Sequence, residues 1–359
     1  MKTNLHLLSY SFLLFLFISC HKTENRQATE AKNTVTTLAE GRQPQLATDL
    51  KGVTRVVYGQ GEAIYCATST DSGETFSEPM LVGNVKGLYL GMSMGPQIAS
   101  SANYSVITAI DKKGNIHSFS LQHDSGKWEK AAGVNDVDGS VPEGLMSIDA
   151  DQHDTFYAVW LDVRSDKNNK IVFATTTGAA TSWSDNRVVY ESPDKTVCEC
   201  CKPGIEVKGN QVLLMFRNWI DGNRDMYVTA STNGGQSFSN PQKLGKGTWK
   251  LEGCPMDGGG ILLDSKNEIH TVWQREGKIF YSQPDSAEIQ IGKGRNVRIS
   301  GKSKPAIAWK DGSDIKLRFI GTDKDILIGK GSYIETAEMP DHKTLCVWEN
   351  DGVIQVKKI

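Results

Sequence analysis

Seven short apolar runs recur along the chain, and each is rich in β-branched or aromatic residues. Runs of this length and composition are typical of buried strands. Most of them are followed by a polar turn and a further strand-like stretch, and no amphipathic stretch of helical length interrupts them. The pattern predicts an all-β fold made of repeated units, with the runs as inner strands: residues 55–58, 105–108, 157–160, 213–216, 270–273, 306–309 and 345–348.

Two turns in this pattern carry almost the same sequence. Residues 69–76 read Ser-Thr-Asp-Ser-Gly-Glu-Thr-Phe, and residues 231–238 read Ser-Thr-Asn-Gly-Gly-Gln-Ser-Phe. The Asp or Asn side chain can bond to the backbone two residues later, and glycine accepts a positive φ. A specific turn repeated far apart indicates a repeat architecture. This turn sequence resembles the Asp-box (BNR) hairpin of sialidase-like β-propellers, and the resemblance implies a sialidase-like β-propeller.

The number of blades is open between six and seven. The sialidase family has six, whereas the seven apolar runs favour seven. The last unit lacks a fourth strand of its own, and we expect residues 34–38 to supply it. Closing the ring in this way would leave no exposed sheet edge.

The N-terminal residues indicate export. Residues 1–20 contain an early lysine and a short apolar stretch, which is typical of a secretory signal. A small residue followed by Cys20 is similar to a bacterial lipoprotein cleavage site, which would place a lipid on Cys20 and the protein in the bacterial cell envelope, anchored to a membrane. The alternative is an ordinary signal peptide with an incidental cysteine. Residues 21–41 are polar and predict a flexible tether, with the propeller domain at 42–359.

The net charge limits the kinds of partner, and the cysteine content indicates whether disulfides can form. The formal net charge is −2 with the two signs evenly mixed, which argues against a nucleic-acid partner. Of the seven cysteines, six remain once Cys20 is set aside, and disulfides are permitted in an exported protein. Cys66 and Cys346 are expected to be buried free thiols.

The sialidase resemblance implies roles for five residues. Arg42, in an Arg-x-Pro opening, and Arg224, before the second turn, match arginines that clamp a substrate carboxylate, and Arg217 is a further ligand-binding candidate. Arg217 and Arg224 could instead hold loops by pairing with Asp221 or Asp225. Tyr333 and Glu349 resemble the tyrosine nucleophile and the late glutamate. The glutamate that activates the tyrosine is missing, because Cys200-Cys201 stand in its place, and the acid aspartate is absent from the loop after the first turn. Without an activating carboxylate a tyrosine is a poor nucleophile near neutral pH.

Sulfur recurs where several units begin. The set comprises Met94, Cys198, Cys200, Cys201, Cys254 and Met256. Thiolate and thioether ligands suit copper(I) and, less specifically, zinc. The alternative is a pair of disulfides that tie two blades together. The Cys-x-Cys-Cys and Cys-Pro motifs also resemble those of a subgroup of exported BNR-repeat proteins.

These observations predict an exported, lipid-anchored propeller that binds a glycan or protein ligand at its central funnel, with an incomplete sialidase catalytic set. Two alternatives stay open: a sialidase-like glycoside hydrolase that acts through Tyr333, and a copper- or zinc-binding protein that uses the cysteine and methionine sulfurs.

Overall fold

The computed structural model describes Met1 and residues 34–359, which form strands, turns and loops and contain no helix. Within these residues, therefore, nothing helical is long and apolar enough to cross a bilayer. The predicted signal, the lipidation residue Cys20 and most of the predicted tether lie outside the described residues.

Between residues 34 and 359, twenty-eight strands follow one another in chain order. The first fourteen are β1 (Thr36–Glu40), β2 (Arg42–Thr48), β3 (Thr54–Gln60), β4 (Ala63–Ser69), β5 (Met80–Asn84), β6 (Gln97–Ser100), β7 (Tyr104–Ile110), β8 (Ile116–Gln122), β9 (Trp128–Lys130), β10 (Met146–Ala150), β11 (Thr155–Asp162), β12 (Lys170–Thr177), β13 (Arg187–Tyr190) and β14 (Gly204–Lys208). The second fourteen are β15 (Gln211–Arg217), β16 (Met226–Ser231), β17 (Gln242–Lys243), β18 (Gly260–Leu263), β19 (Ile269–Arg275), β20 (Lys278–Ser282), β21 (Ile289–Lys293), β22 (Arg295–Ser300), β23 (Ala306–Asp311), β24 (Asp314–Phe319), β25 (Ile326–Lys330), β26 (Ser332–Glu338), β27 (Thr344–Asn350) and β28 (Val353–Lys358).

The strands form seven four-stranded antiparallel sheets, which are the blades of a seven-bladed β-propeller. Blades 1 to 6 are consecutive meanders that begin at β2, β6, β10, β14, β18 and β22, and each of these first strands contacts the first strand of the next blade. Blade 7 has the order β1-β28-β27-β26, so β1 supplies its outer strand. The predicted ring closure by the N-terminal segment is confirmed. The propeller consequently begins before the predicted boundary at residue 42, because β1 pairs with β28.

The seven predicted apolar runs form the second strand of each blade, not the innermost strand as expected. They lie in β3, β7, β11, β15, β19, β23 and β27, and these strands are almost wholly buried. A second strand is covered by the neighbouring blades on both faces and is paired along both edges, which explains its continuous apolar sequence. Trp160, Trp273, Trp309 and Trp348 are among the largest fully buried side chains.

The two repeated turns have the same hydrogen bonds. In blade 1, Asp71 Oδ1 accepts hydrogen bonds from Ser69 Oγ at 2.8 Å and Thr75 N at 2.9 Å. In blade 4, Asn233 Oδ1 accepts them from Ser231 Oγ at 2.8 Å and from the backbone N of residue 237 at 3.0 Å. Each turn joins the third and fourth strands of its blade. Equal local sequence therefore gives equal local structure.

A cavity follows the propeller axis and differs greatly in width between its two ends. Where the inner strands end, it has a volume of about 780 Å³. Halfway along, the volume falls to about 150 Å³, and at the starts of the strands it is about 10 Å³. The predicted funnel site at the strand starts therefore lies at the narrow end.

Candidate functional site

The inner strands of three consecutive blades begin with the same backbone irregularity. Gln43, Asn296 and Tyr333 have positive φ values of 56°, 53° and 55°. Each lies where the register of its strand shifts against the second strand. Left-handed backbone at non-glycine residues costs free energy and clusters at functional sites. The narrow end of the axis is thus built with strained backbone in blades 6, 7 and 1.

We call these register shifts bulges. At two of them, a carboxylate from another element accepts a hydrogen bond from the backbone. The backbone N–H of Gln43 donates to Glu349 Oε2 over 3.0 Å, and that of Asn296 donates to Asp257 Oδ2 over 2.6 Å. Both carboxylates are buried. A charge-assisted hydrogen bond is stronger than a neutral one and can therefore offset the strain of the bulge.

Cationic side chains surround the bulges. Arg42 is exposed, and its Nε donates to Glu349 Oε1 over 3.2 Å. Lys310 Nζ donates to Ser332 Oγ over 2.8 Å, and Lys310 pairs across the strands with the exposed Arg295. We call the set Arg42, Arg295, Lys310, Ser332 and Tyr333 the axial patch. It offers several hydrogen-bond donors with positive charge beside the inner-strand starts of blades 1, 6 and 7. Of this set, Tyr333 lines the narrow end of the axial cavity, and Arg295 Nη2 lies 3.5 Å from Pro255 O.

Tyr333 and Glu349 lie in this region but do not act on each other. The Tyr333 hydroxyl accepts a hydrogen bond from Met92 N over 3.1 Å. In the described part of the chain it has no hydrogen bond to a carboxylate, and Glu349 is engaged by Arg42 and by the Gln43 backbone. The geometry supports Glu349 as a positioning group for Arg42, and it gives Tyr333 no base that would make it a nucleophile.

The prediction that Arg217 binds a ligand is not supported by its position. Arg217 is buried, and its guanidinium donates to three backbone carbonyl groups: Arg224 O at 2.7 Å, Gln274 O at 2.7 Å and Asp257 O at 3.2 Å. Its charge is also stacked over Trp249. With its donors used in this way, Arg217 ties blade 4 to the loop that precedes blade 5.

Arg224 is likewise enclosed and not presented to a ligand. Its Nη1 and Nη2 donate to the two Glu199 carboxylate oxygens over 3.0 and 3.2 Å, and the guanidinium lies over Trp219. Nη1 also lies 3.2 Å from Cys198 Sγ. Of the three predicted ligand-binding arginines, only Arg42 is exposed.

One disulfide forms within the cysteine cluster. Cys200 is bonded to Cys254, which links the loops before blades 4 and 5, while Cys66, Cys198, Cys201 and Cys346 form no disulfide within the described part of the chain. The disulfide alternative is therefore half correct, since one of the two predicted bridges is present. Because a disulfide sulfur is not a thiolate, a four-thiol metal site does not exist in this oxidation state.

The remaining two thiols of the cluster lie against each other. Cys198 Sγ is 2.9 Å from Cys201 Sγ and 3.9 Å from Cys200 Sγ. Burial opposes ionisation of Cys198, but its hydrogen bond with Cys201 and the charges of Arg217 and Arg224 outweigh burial and lower its pKa. Burial raises the pKa of Cys201, and the neighbouring Cys198 raises it further.

The other predicted ligands do not join this cluster. Met94 packs against an apolar cluster formed by blades 3 and 4, and Met256 is half-buried in the loop after Cys254. Cys66 and Cys346 belong to different apolar clusters, and burial raises the pKa of each to about 12. Among the described residues, the hydrogen-bond partners of Cys198 Sγ are thus Cys200, Cys201 and Arg224.

The wide end of the axial cavity carries acidic groups that the sequence did not single out. Glu206 and Asp149 lie on neighbouring inner strands, and Glu206 Oε1 is buried without a hydrogen-bond partner among the described residues. Burial and the Asp149 charge raise the pKa of Glu206, and burial raises that of Asp149. Asp49 and Asp151 in the same cavity instead accept backbone N–H groups of their own turns.

A repeat in the sequence could have identified the axial patch. The inner strands of blades 1, 6 and 7 begin Gly-Arg-Gln-Pro, Gly-Arg-Asn-Val and Gly-Ser-Tyr-Ile, starting at residues 41, 294 and 331. Aligning the three segments would have placed Arg295 beside Arg42 and Asn296 beside Tyr333. The role of Lys310 had no comparable signal, because its contact to Ser332 joins two blades.

Comparison with known proteins gives the fold. No protein-family model matches the chain, and no curated protein matches its sequence. Among solved structures, the BP39L lectin from Burkholderia pseudomallei is similar with a TM-score of 0.63 at 10% identity, covering 89% of this chain and 96% of the lectin. A PL25 ulvan lyase is similar with a TM-score of 0.56 at 11% identity, covering 89% of this chain and 94% of the lyase. The α-L-arabinanase of Penicillium chrysogenum, complexed with arabinobiose, is similar with a TM-score of 0.53 at 11% identity, covering 91% of this chain and 97% of the arabinanase. The chain is an all-β, seven-bladed propeller, and its similarity to these structures is a similarity of fold.

Proposed function

We propose that this protein is a carbohydrate-binding propeller that holds an acidic glycan at the axial patch. The observation that carries the proposal is the convergence of Arg42, Arg295 and Lys310 on strained inner-strand starts of three consecutive blades. Guanidinium groups recognise carboxylate and sulfate groups through paired hydrogen bonds. Uronic acids, sialic acids and sulfated sugars carry such groups.

The free donors of the patch suit this ligand. Among the described contacts, Arg42 uses only its Nε within the protein, which leaves both terminal nitrogens for a ligand. The Tyr333 hydroxyl accepts from Met92 and keeps its own proton to donate. Lectins and a saccharide-bound arabinanase use the same fold, which is compatible with a sugar ligand here.

Binding is tested on an array of sialylated, uronate-containing and sulfated glycans beside neutral ones, followed by calorimetric titration of the strongest ligand. We expect acidic glycans to bind and neutral analogues not to. Arg42→Ala and Arg295→Ala should each weaken binding by about tenfold or more, since each removes a charge-assisted hydrogen bond. Affinity should also fall with added salt.

Lys302→Ala is the matched control, because Lys302 is an exposed cation at the wide end of the same axis. It should change affinity by no more than about twofold, as a charge outside the contact. Unchanged affinity in both arginine variants, or loss of binding in Lys302→Ala alone, would refute the axial patch and favour the wide cavity.

We further propose, from the sequence alone, that the protein is exported and anchored to a membrane of the bacterial envelope through a lipid on Cys20. Mass spectrometry of the mature N-terminus tests this proposal. A diacylglyceryl group on Cys20 is expected. An unmodified Cys20, or an uncleaved N-terminus in membrane fractions, would rule it out without affecting the glycan proposal.

A further inference from the structure

We propose that the four clustered cysteines form a thiol–disulfide relay, in which a buried dithiol exchanges with a disulfide that reaches the surface. Cys198 and Cys201 are buried, Cys200 is half-buried and Cys254 is exposed. The relay provides the protein with a redox-active site that can exchange with a dithiol or disulfide in solution. It is independent of glycan binding, since no residue of the axial patch takes part.

The sulfur atoms lie in an order that permits exchange. Cys198 Sγ lies 2.9 Å from Cys201 on one side and 3.9 Å from Cys200 on the other, and Cys200 is bonded to Cys254. Disulfides exchange by attack of a thiolate on one sulfur of the bond. The distances therefore place Cys198 Sγ next to the Cys200–Cys254 disulfide as the attacking sulfur, with the Cys201 thiol next to Cys198.

A positive charge supports the attacking sulfur. Arg224 Nη1 lies 3.2 Å from Cys198 Sγ, and Glu199 holds that guanidinium with two further hydrogen bonds. Arg224 is nearly inaccessible to solvent, so its charge acts on the sulfur with little screening. A cation beside a cysteine favours the thiolate.

The exchange balances without an external oxidant. The Cys198 thiolate attacks Cys200 Sγ, the Cys200–Cys254 bond breaks, and Cys254 leaves as a thiolate that takes a proton from solvent. The Cys201 thiolate then attacks Cys198 Sγ and releases Cys200, which is protonated in turn. One disulfide and two thiols are present before and after, so the bond has moved from 200–254 to 198–201.

The loops stay together when the disulfide opens. Asp257 O accepts hydrogen bonds from Arg217 Nε and Nη2 over 3.3 and 3.2 Å, and the Asp257 carboxylate accepts the Asn296 N–H. The backbone at Gly258 also lies so close to Lys202 O that a Cβ there would overlap it. Because these contacts do not involve Cys254, its released thiolate remains beside Cys200 and the exchange is reversible.

The relay is tested by trapping Cys254 in the folded full-length protein without any reductant. The protein is incubated with N-ethylmaleimide, which removes each Cys254 thiol that exchange exposes, and is then digested with trypsin. Mass spectrometry follows the covalent link between residues 196–208 and 251–266, which are the tryptic peptides that contain the four cysteines. We expect this link to disappear with time, with the maleimide on Cys254 and a 198–201 disulfide in the first peptide.

Two variants make the result specific. Cys198→Ser removes the attacking sulfur and should slow alkylation of Cys254 by about tenfold or more, because exchange needs a thiolate nucleophile. Cys346→Ser removes a buried thiol of blade 7 and should behave as wild type. Circular dichroism confirms that both variants are folded.

Three results would overturn the relay. The first is a 200–254 link in the wild type as persistent as in Cys198→Ser. The second is a second disulfide already present at 198–201 beside the 200–254 bond. The third is one equivalent of copper or zinc in the purified protein with all four cysteines reduced, which would establish a metal site in place of an exchange site.

Discussion

Arg42 and Glu349 form an ion pair across the closure of the propeller, although 307 positions separate them in the chain. Arg42 Nε donates to Glu349 Oε1 over 3.2 Å, and the other oxygen of Glu349 accepts the Gln43 backbone N–H over 3.0 Å. The side chain of Arg42 is 58% exposed, whereas that of Glu349 is only 8% exposed. The two partners therefore contribute differently: Arg42 faces solvent, and Glu349 holds the Gln43 backbone.

This difference predicts unequal effects on stability. Arg42→Ala should lower the free energy of unfolding by less than about 1 kcal/mol, because the pair is solvated on the arginine side. Glu349→Ala should lower it by about 1–3 kcal/mol, because the buried Gln43 N–H loses its acceptor. Urea unfolding followed by tryptophan fluorescence measures both. Equal losses in the two variants would contradict the proposed role of Glu349.

The repeated turn in blade 4 predicts a second pair of variants. Gly234 and Gly235 both have positive φ, 67° and 79°, so alanine is strained at each. A Cβ at Gly234 would meet nothing within 4 Å, whereas a Cβ at Gly235 would lie 2.6 Å from the Phe173 ring in blade 3. Gly235→Ala should therefore cost about 1–3 kcal/mol more than Gly234→Ala, as overpacking does. Equal urea midpoints for Gly234→Ala and Gly235→Ala would show that a Cβ at Gly235 does not clash with the Phe173 ring of blade 3.

Hydrolysis of sialosides is predicted to be absent. The Tyr333 hydroxyl is hydrogen-bonded to a backbone N–H and to no carboxylate in the described part of the chain, so it lacks an activating base. The purified protein should release no more aryl alcohol from an aryl sialoside than buffer does, and Tyr333→Phe should be indistinguishable from wild type. Turnover that Tyr333→Phe abolishes would instead establish the glycoside hydrolase.

The wide end of the cavity predicts a pH dependence of stability. Burial raises the pKa of Glu206 above its ordinary value of 4.5, with a further contribution from Asp149. The folded state thus binds more protons than the unfolded state, and stability falls as the pH rises above 4.5 towards the raised pKa. Glu206→Gln should leave stability at pH 4 nearly unchanged and raise it at pH 8.

Glu338→Gln, in the same cavity, should show the opposite sign. Burial there is outweighed by hydrogen bonds from Ser303 and by His342, which lower the pKa of Glu338. A lowered carboxyl pKa contributes stability above its unfolded value and loses it as the pH falls. This variant should therefore be less stable than wild type at pH 8. Thermal melts at pH 4 and pH 8 measure the stability of both variants. A Glu206→Gln variant that is less stable than wild type at pH 8 would contradict the predicted sign for Glu206.

Several features of the fold followed from the sequence, most of them because they depend on residues that are near one another in the chain. The repeated turns close through hydrogen bonds between residues two to four positions apart, as between Asp71 and Thr75. The seven apolar runs are strands because a strand covered on both faces has to be apolar throughout. The closing strand was also predictable, because a blade with three strands of its own leaves an edge that needs a partner.

The site depended on tertiary structure, because its residues meet only when separate blades are placed around one axis. Nothing local distinguishes Cys200 from Cys201, and the loop geometry decided that Cys200 bonds to Cys254 while Cys201 faces Cys198. Nor does the sequence tell an exposed arginine from a buried one: Arg217 is enclosed by carbonyl groups from two blades, while Arg42 stays open at the ring closure. Sequence by itself determined the turns and the strands of blades 1 to 6, since the pairing of consecutive strands and turn chemistry are short-range. The arrangement of the charges at the inner-strand starts and of the sulfurs between blades 4 and 5 was decided by packing, since burial and contact between distant segments exist only in the closed ring.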